Sequence, residues 1–248
     1  MAVSRRDFLK SSAIAGAAIA LPRSLFATEA GRFAARPKKP TKDVAPGEHV
    51  LLDERGRRAL LQIPTGYNPQ KAAPFFLALH GATGSGDSMM SGARGPAEAH
   101  GVIVLSPSSR NGTWDAIRGR FSYDTDRIDQ LLAQAFDRCA IDPSRLAIGG
   151  FSDGATYALS LGLINGDLFT HVIAHSPGFI ISGVPHGKPK VFVSHGRQDP
   201  ILPIDQCGRR IVAQLKRAGY DPRYDEFDGG HTASPEMRDR AMVWFAGA

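Results

Sequence analysis

The chain has 248 residues, 42% of them apolar and 22% charged. That length and composition fit one globular α/β domain with its own core, and they exclude a disordered chain or a small disulfide-stapled scaffold. The formal net charge is +6, but Arg5, Arg6, Lys10 and Arg23 against Asp7 supply three of those charges, so the chain beyond residue 27 carries +3. No basic stripe interleaved with aromatics is present, which argues against nucleic acid as a partner.

Residues 4–10, Ser-Arg-Arg-Asp-Phe-Leu-Lys, resemble the core of a twin-arginine export signal. Ser11 to Leu21 follow as a mild apolar stretch rich in Ala and Gly, too short to cross a bilayer, which takes about 20 residues. Small residues offer cleavage after Ala27 or Ala30. The resemblance implies a signal peptide over 1–27, the twin-arginine export machinery as a partner, and a periplasmic or secreted destination. No Cys follows the apolar stretch, so no stable membrane anchor is expected after cleavage. Residues 28–46, with Arg32, Arg36, Lys38, Lys39 and Lys42, lack periodicity and read as a solvated basic linker. The folded domain is then 47–248.

Along that domain, Glu48–Asp53 and Arg58–Pro64 flank Glu54-Arg55-Gly56-Arg57 and predict an antiparallel hairpin at a sheet edge. Short continuous apolar runs follow at Phe75–Leu79, Val102–Leu105, Leu146–Ile148, Val172–Ala174 and Val191–Val193. Strands covered by helices on both faces have this pattern. Helical spacing appears over Arg127–Arg138, Ala155–Ile164 and Ile204–Arg217. Tyr224–Phe227 predicts a last strand and Ser234–Phe245 a last helix. The alternation predicts an α/β fold, a doubly wound and mostly parallel sheet with helices on both faces. Cys139 and Cys207 fall on different crossover helices in that arrangement and read as free thiols.

Sites in such sheets form beyond the C-terminal ends of the strands. Four strand ends here lead into His80-Gly81-Ala82-Thr83-Gly84, Gly150-Phe151-Ser152-Asp153-Gly154, His195-Gly196-Arg197-Gln198-Asp199 and Gly229-Gly230-His231. The second matches the G-x-S-x-G nucleophile elbow, in which a strained turn projects the serine hydroxyl above the sheet. Glycines on either side remove side chains that would strike the neighbouring strand and helix. A serine needs a base, and the base needs an orienting acid, in chain order Ser, Asp, His. Of eight histidines, His231 alone follows the last strand and precedes the last helix. Asp199 follows a strand end and is the candidate acid, with Asp205 and Asp228 as alternatives. Charge developing on a carbonyl oxygen calls for two backbone N–H donors. Asp153, next to the serine, and Ala82, in the loop after the first parallel strand, are the candidates. His80 is expected to brace that loop by hydrogen bonding.

These motifs, with Ile141-Asp142-Pro143-Ser144-Arg145 leading into the elbow strand, resemble the bacterial phospholipase/carboxylesterase family of α/β-hydrolases over about residues 48–247. The chain is also similar to polyhydroxybutyrate-depolymerase-like and feruloyl-type esterases. The resemblance implies Ser152, Asp199 and His231 as a triad, Ala82 in the oxyanion hole, and a small lidless esterase with no metal or organic cofactor, acting on a small-molecule ester. Met89, Met90, Trp114, Phe179, Ile180, Ile201 and Leu202 lie on strand-end loops as candidate pocket walls or core residues. The connection Pro177–Pro189 leaves no room for a lid, which predicts short to medium acyl chains. Arg118, Arg120 and Arg197 could recognise an acidic group or lie as solvated charges. A peptidase or amidase on the same fold, or a silent ligand-binding member, are the competing readings. His171 and His175 are four apart on a strand, roughly 13 Å, which disfavours a shared metal.

Overall fold

The computed structural model describes residues 29–53 and 57–247. The signal segment and the tip of the expected hairpin turn, 54–56, lie outside the described residues. Eight strands form one sheet: β1 (Gly47–Leu52), β2 (Arg58–Ile63), β3 (Ala73–Leu79), β4 (Ile103–Pro107), β5 (Ile141–Phe151), β6 (His171–His175), β7 (Lys190–Gly196) and β8 (Arg223–Phe227). Six helices accompany them: α1 (Gly86–Ala99), α2 (Asp115–Arg118), α3 (Tyr123–Arg138), α4 (Asp153–Ile164), α5 (Gly208–Arg217) and α6 (Pro235–Ala246). The strand order is β1-β2-β4-β3-β5-β6-β7-β8. β1 and β2 form the antiparallel hairpin at the edge, β2 pairs antiparallel with β4, and all later pairings are parallel.

The chain leaves β3 toward β4 and then returns across β3 to β5. The loops after β3 and β5 therefore diverge, opening a crevice at their C-terminal ends, where α/β sheets hold their ligands. One face of the sheet packs Phe76, Ala147, Ile173 and Phe192 against Met90 of α1 and Met242 and Phe245 of α6. The other packs Phe75, Leu77, Ile148 and Val172 against residues of α3, α4 and α5 such as Leu131, Leu161 and Ile211.

Helix α1 was not expected. Its sequence is rich in Gly, Ser and Pro, and it buries only Met90, Ala93 and Ala97 beyond Gly86. Ser85 starts it through a capping box with Ser88, and Pro96 lies in its last turn. Small side chains let α1 approach the sheet closely: a Cβ on Gly86 would strike the Ser106 carbonyl.

Residues 29–46 contain no helix or strand, yet they are not a free linker. Phe33 is buried with its ring edge-on to Phe169, and its N–H donates to Asn165 Oδ1 at 2.8 Å. Arg32 reaches both the Ile164 carbonyl and Asp167, and Arg36 also pairs with Asp167. Lys38, Thr41 and Lys42 converge on Asp137, holding its carboxyl at about 2 through their hydrogen bonds. Arg36, Lys38, Lys39 and Lys42 are exposed, as the sequence suggests, but the ion pairs of Arg32, Arg36, Lys38 and Lys42 tie the segment down as a strap over α3 and the end of α4. Phe33→Ala should cost about 3–5 kcal/mol in urea unfolding if the strap is part of the fold, against a negligible change for a loose tail.

His171 and His175 on β6 are buried, and burial pushes both rings down to about 4. Each is neutral in the folded protein and returns to about 6.5 on unfolding. The unfolded chain therefore takes up protons first, so stability present above about pH 6.5 is lost as pH falls toward 4. His171→Leu should reduce that acid slope near pH 5 by about 1.4 kcal/mol per pH unit in unfolding titrations. An unchanged slope would mean that His171 protonates freely in the fold.

Candidate active site

Strand β5 ends at Phe151 and helix α4 begins at Asp153, leaving a single residue, Ser152, to make the turn. Its backbone lies at φ 56° and ψ −120°, a region that costs a non-glycine residue on the order of 1–3 kcal/mol. The surroundings hold it there. Ser152 N–H donates to the His175 carbonyl on β6 at 2.9 Å, and its own carbonyl accepts from Thr156 N–H in the first turn of α4. A Cβ on Gly150 or Gly154 would strike the Leu79 carbonyl of β3. Both glycines are therefore dictated by the close approach of strand and helix, as the motif implies.

His231 leaves the end of β8 and places Nε2 2.8 Å from Ser152 Oγ. Its Nδ1 lies 2.7 Å from Asp199 Oδ2. A carboxylate only accepts, so Nδ1 carries the ring proton and Nε2 is left to accept from the serine hydroxyl. Asp199 is buried, and its other oxygen accepts from Ile201 N–H at 2.9 Å and Leu202 N–H at 2.8 Å. Burial pushes this carboxyl up, but those amides and the His231 ring outweigh it and hold it below its ordinary range. The loops after β7 and β8 are themselves locked together, with Arg197 N–H on the Phe227 carbonyl and Gln198 N–H on the Gly229 carbonyl. Asp205 and Asp228, the alternative acids, pair instead with Arg209 and Arg197. Arg197 also meets Glu226, so it is a paired surface charge.

His195 adds a contact that the sequence did not reveal. Its fully buried ring places Nε2 2.8 Å from the Leu202 carbonyl and 3.3 Å from Asp199 Oδ2. Burial lowers its pKa, which keeps the ring neutral beside the carboxylate. Asp199 is thus flanked by two imidazoles, one on the serine side and one in the core.

The loop after β3 sits directly against the serine: a Cβ on Gly81 would lie 3.3 Å from Ser152 Cβ. His80 braces this loop as expected. Its Nε2 accepts from Ser109 N–H at 2.9 Å, so Nδ1 carries the proton and donates to the Gly81 carbonyl at 2.7 Å. Thr83 N–H is tied to the Gly112 carbonyl. Neither the Ala82 nor the Asp153 N–H takes part in the turn and cap hydrogen bonds of the described residues. The Asp153 side chain accepts from Thr113 Oγ1.

Trp114 is a buried residue. Its indole N–H donates to the His80 carbonyl at 2.8 Å, and its ring stacks on Tyr157 at 5.3 Å. It supports the loop from beneath. Met90 is core, whereas Phe179 and Ile201 are exposed on the site loops and Met89 lines a cavity between α1 and α6.

A family model described as Phospholipase/Carboxylesterase matches residues 108–242, more than half of the chain and including all three residues of the Ser–His–Asp relay. The chain belongs to the phospholipase/carboxylesterase family of hydrolases. A twin-arginine signal model matches residues 2–22, which marks this family member for export to the periplasm or beyond the cell. No helix among the described residues is long and apolar enough to cross a membrane. Feruloyl esterase C of Emericella nidulans is 31% identical over 159 residues, 60% of this chain and 57% of that protein. Acyl-protein thioesterase 1 of Gibberella zeae is 30% identical over 124 residues, 46% of this chain and 52% of that protein. The chain thus spans little more than half the length of these relatives. The structure of S-formylglutathione hydrolase from Staphylococcus aureus overlays with a TM-score of 0.66 at 16% identity, covering 80% of this chain and 97% of that one, which shows a shared fold.

Gly154→Ala puts a methyl group against the Leu79 and His80 carbonyls. It should destabilise the protein by about 1–3 kcal/mol in denaturant unfolding. An unchanged midpoint would refute the close approach on which the elbow depends.

Proposed function

We propose that the protein is an exported serine esterase that cleaves small carboxylic esters of short to medium acyl chain. The observation that carries this reading is the continuous relay from Ser152 Oγ through His231 to Asp199, with both hydrogen bonds between 2.7 and 2.8 Å. The catalytic domain is assigned to the folded body that follows the signal.

His231 Nε2 takes the hydroxyl proton as Ser152 Oγ attacks the ester carbonyl carbon. The N–H groups of Ala82 and Asp153 receive the oxygen that becomes negative, aided by the positive end of α4. The tetrahedral adduct collapses, the alcohol leaves with the proton from His231, and the acyl group stays on Ser152. Water then attacks the acyl-enzyme, giving its proton to His231, and a second collapse returns the serine and releases the acid. Asp199 fixes the tautomer throughout and stabilises the imidazolium. His195 and the Ile201 and Leu202 amides hold the Asp199 carboxylate in place. The chain-length assignment rests on the connection from β6 to β7, which contains neither helix nor strand to form a lid. The feruloyl esterase and thioesterase relatives are consistent with an acyl ester or thioester as substrate.

A fluorophosphonate should label Ser152 stoichiometrically. In Ser152→Ala, p-nitrophenyl ester hydrolysis should fall by at least about 10³-fold. A labelled, active enzyme with its rate maximum at C12 or longer chains would overturn the chain-length assignment. A folded protein that neither labels nor hydrolyses would overturn the esterase reading itself.

A further inference from the structure

A cavity of about 230 Å³ lies between α1 and α6, against the face of the sheet that α4 does not cover. Phe76, Met89, Phe151, Ile173 and Met242 make its apolar walls. It reaches the two loops that flank the serine, at Gly81 and at Thr232, but neither Ser152 nor His231 lines it. Phe151 is the partition. Its ring lies 4.8 Å from the His231 ring and also lines the cavity, while a Cβ on Gly81 would come within 3.2 Å of it.

Arg238 of α6 gives this apolar space a cation. Among the described residues, no carboxylate lies within ion-pair distance of it, although Arg240 of the same helix is paired with Asp225 and Glu236. One bond engages its guanidinium, from Nη1 to the Ala233 carbonyl at 2.9 Å, and the head group extends toward Gly92 of α1. A guanidinium has five N–H donors in a planar fork suited to a carboxylate. The two histidines on the wall, His80 and His175, are both pushed below their ordinary range by burial; His80 is hydrogen-bonded at both ring nitrogens and His175 through Nδ1 to Ser194 Oγ, so neither adds a charge that would compete. The volume is below the ~300–1,000 Å³ of pockets that take drug-sized ligands, which sets the occupant at fragment size.

We propose that this cavity is a second binding site, distinct from the catalytic cleft, for a small apolar monocarboxylate whose head group pairs with Arg238. An ester hydrolase makes such an acid at every turnover, and an acid seated here touches both catalytic loops. The site would therefore let the product slow the enzyme without competing for Ser152. The identity of the acid as product rests on the esterase reading. The site itself does not.

Octanoate and octanol serve as probes, titrated calorimetrically into the full enzyme before and after Ser152 is phosphonylated, with labelling read by mass. Octanoate should bind both forms with similar affinity, and octanol at least about tenfold more weakly. Arg238→Gln retains a donor for the Ala233 carbonyl but removes the charge, and should weaken octanoate about 10–100-fold. Met89→Trp should block binding by filling the cavity, with thermal unfolding showing that the fold survives. Octanoate that is excluded by phosphonylation, that is indifferent to Arg238→Gln, or that fails to bind at about 10 mM would overturn the proposal. Failure of Ser152 to label counts against the esterase reading alone, because octanoate binding to the untreated protein remains its own measurement.

Discussion

The arrangement depends on one backbone constraint, the left-handed turn at Ser152. The turn exists because three backbones meet within van der Waals distance: the end of β5, the start of α4 and the end of β3. Glycine at 150 and 154 is the only residue type that lets the Leu79 carbonyl approach so closely. The strain in the serine is held by its N–H on the His175 carbonyl and by the first turn of α4. The same crowding brings the 80–84 loop against Ser152, so one packing contact positions both the hydroxyl and the loop expected to receive the oxyanion. A looser elbow would lose the two together.

The three residues of the relay were legible because Ser152 and Asp199 each follow an apolar run and His231 follows the last strand, and in an open parallel sheet the ends of those strands converge. The histidines were separable on the same ground: His171, His175 and His195 lie in strands, while His231 lies in a loop free to reach the serine. What such reading could not supply were contacts made between distant segments. Trp114 follows Asn111-Gly112-Thr113 and reads as a loop residue over a cleft, but its partners are the His80 carbonyl, 34 residues away, and the Tyr157 ring. Phe33 is a lone apolar residue in a polar stretch, and its partner Asn165 is 132 residues away. Helix α1 is hard to read from the sequence because its inward residues are few and small, and tight packing against β4 rather than a broad apolar stripe stabilises it.

The loop after β3 is held rigidly from beneath. His80 is hydrogen-bonded at both ring nitrogens and at its carbonyl, and Thr83 is tied to Gly112. A loop fixed from beneath in this way presents its amides without needing a conformational change to assemble them, which is the condition under which hydrogen-bond donors stabilise developing charge most effectively. His195 does for Asp199 what Trp114 does for His80. Each buried ring holds a residue next to the Ser152–His231 pair in space or in chain, and neither reaches solvent.

Export brings the chain into compartments where exposed thiols oxidise, yet Cys139 and Cys207 are both free. Their burial accounts for this. The thiolate is the reactive form, and burial pushes the Cys139 thiol up to about 12 and raises that of Cys207 as well. Cys139 ends α3 and Cys207 precedes α5, on helices that cross the same face of the sheet at different strands. Neither thiol is exposed to a partner or an oxidant while the core is closed. The domain therefore relies on its hydrophobic core and on the strap over α3 and α4, and its resistance to oxidation is a property of the folded state.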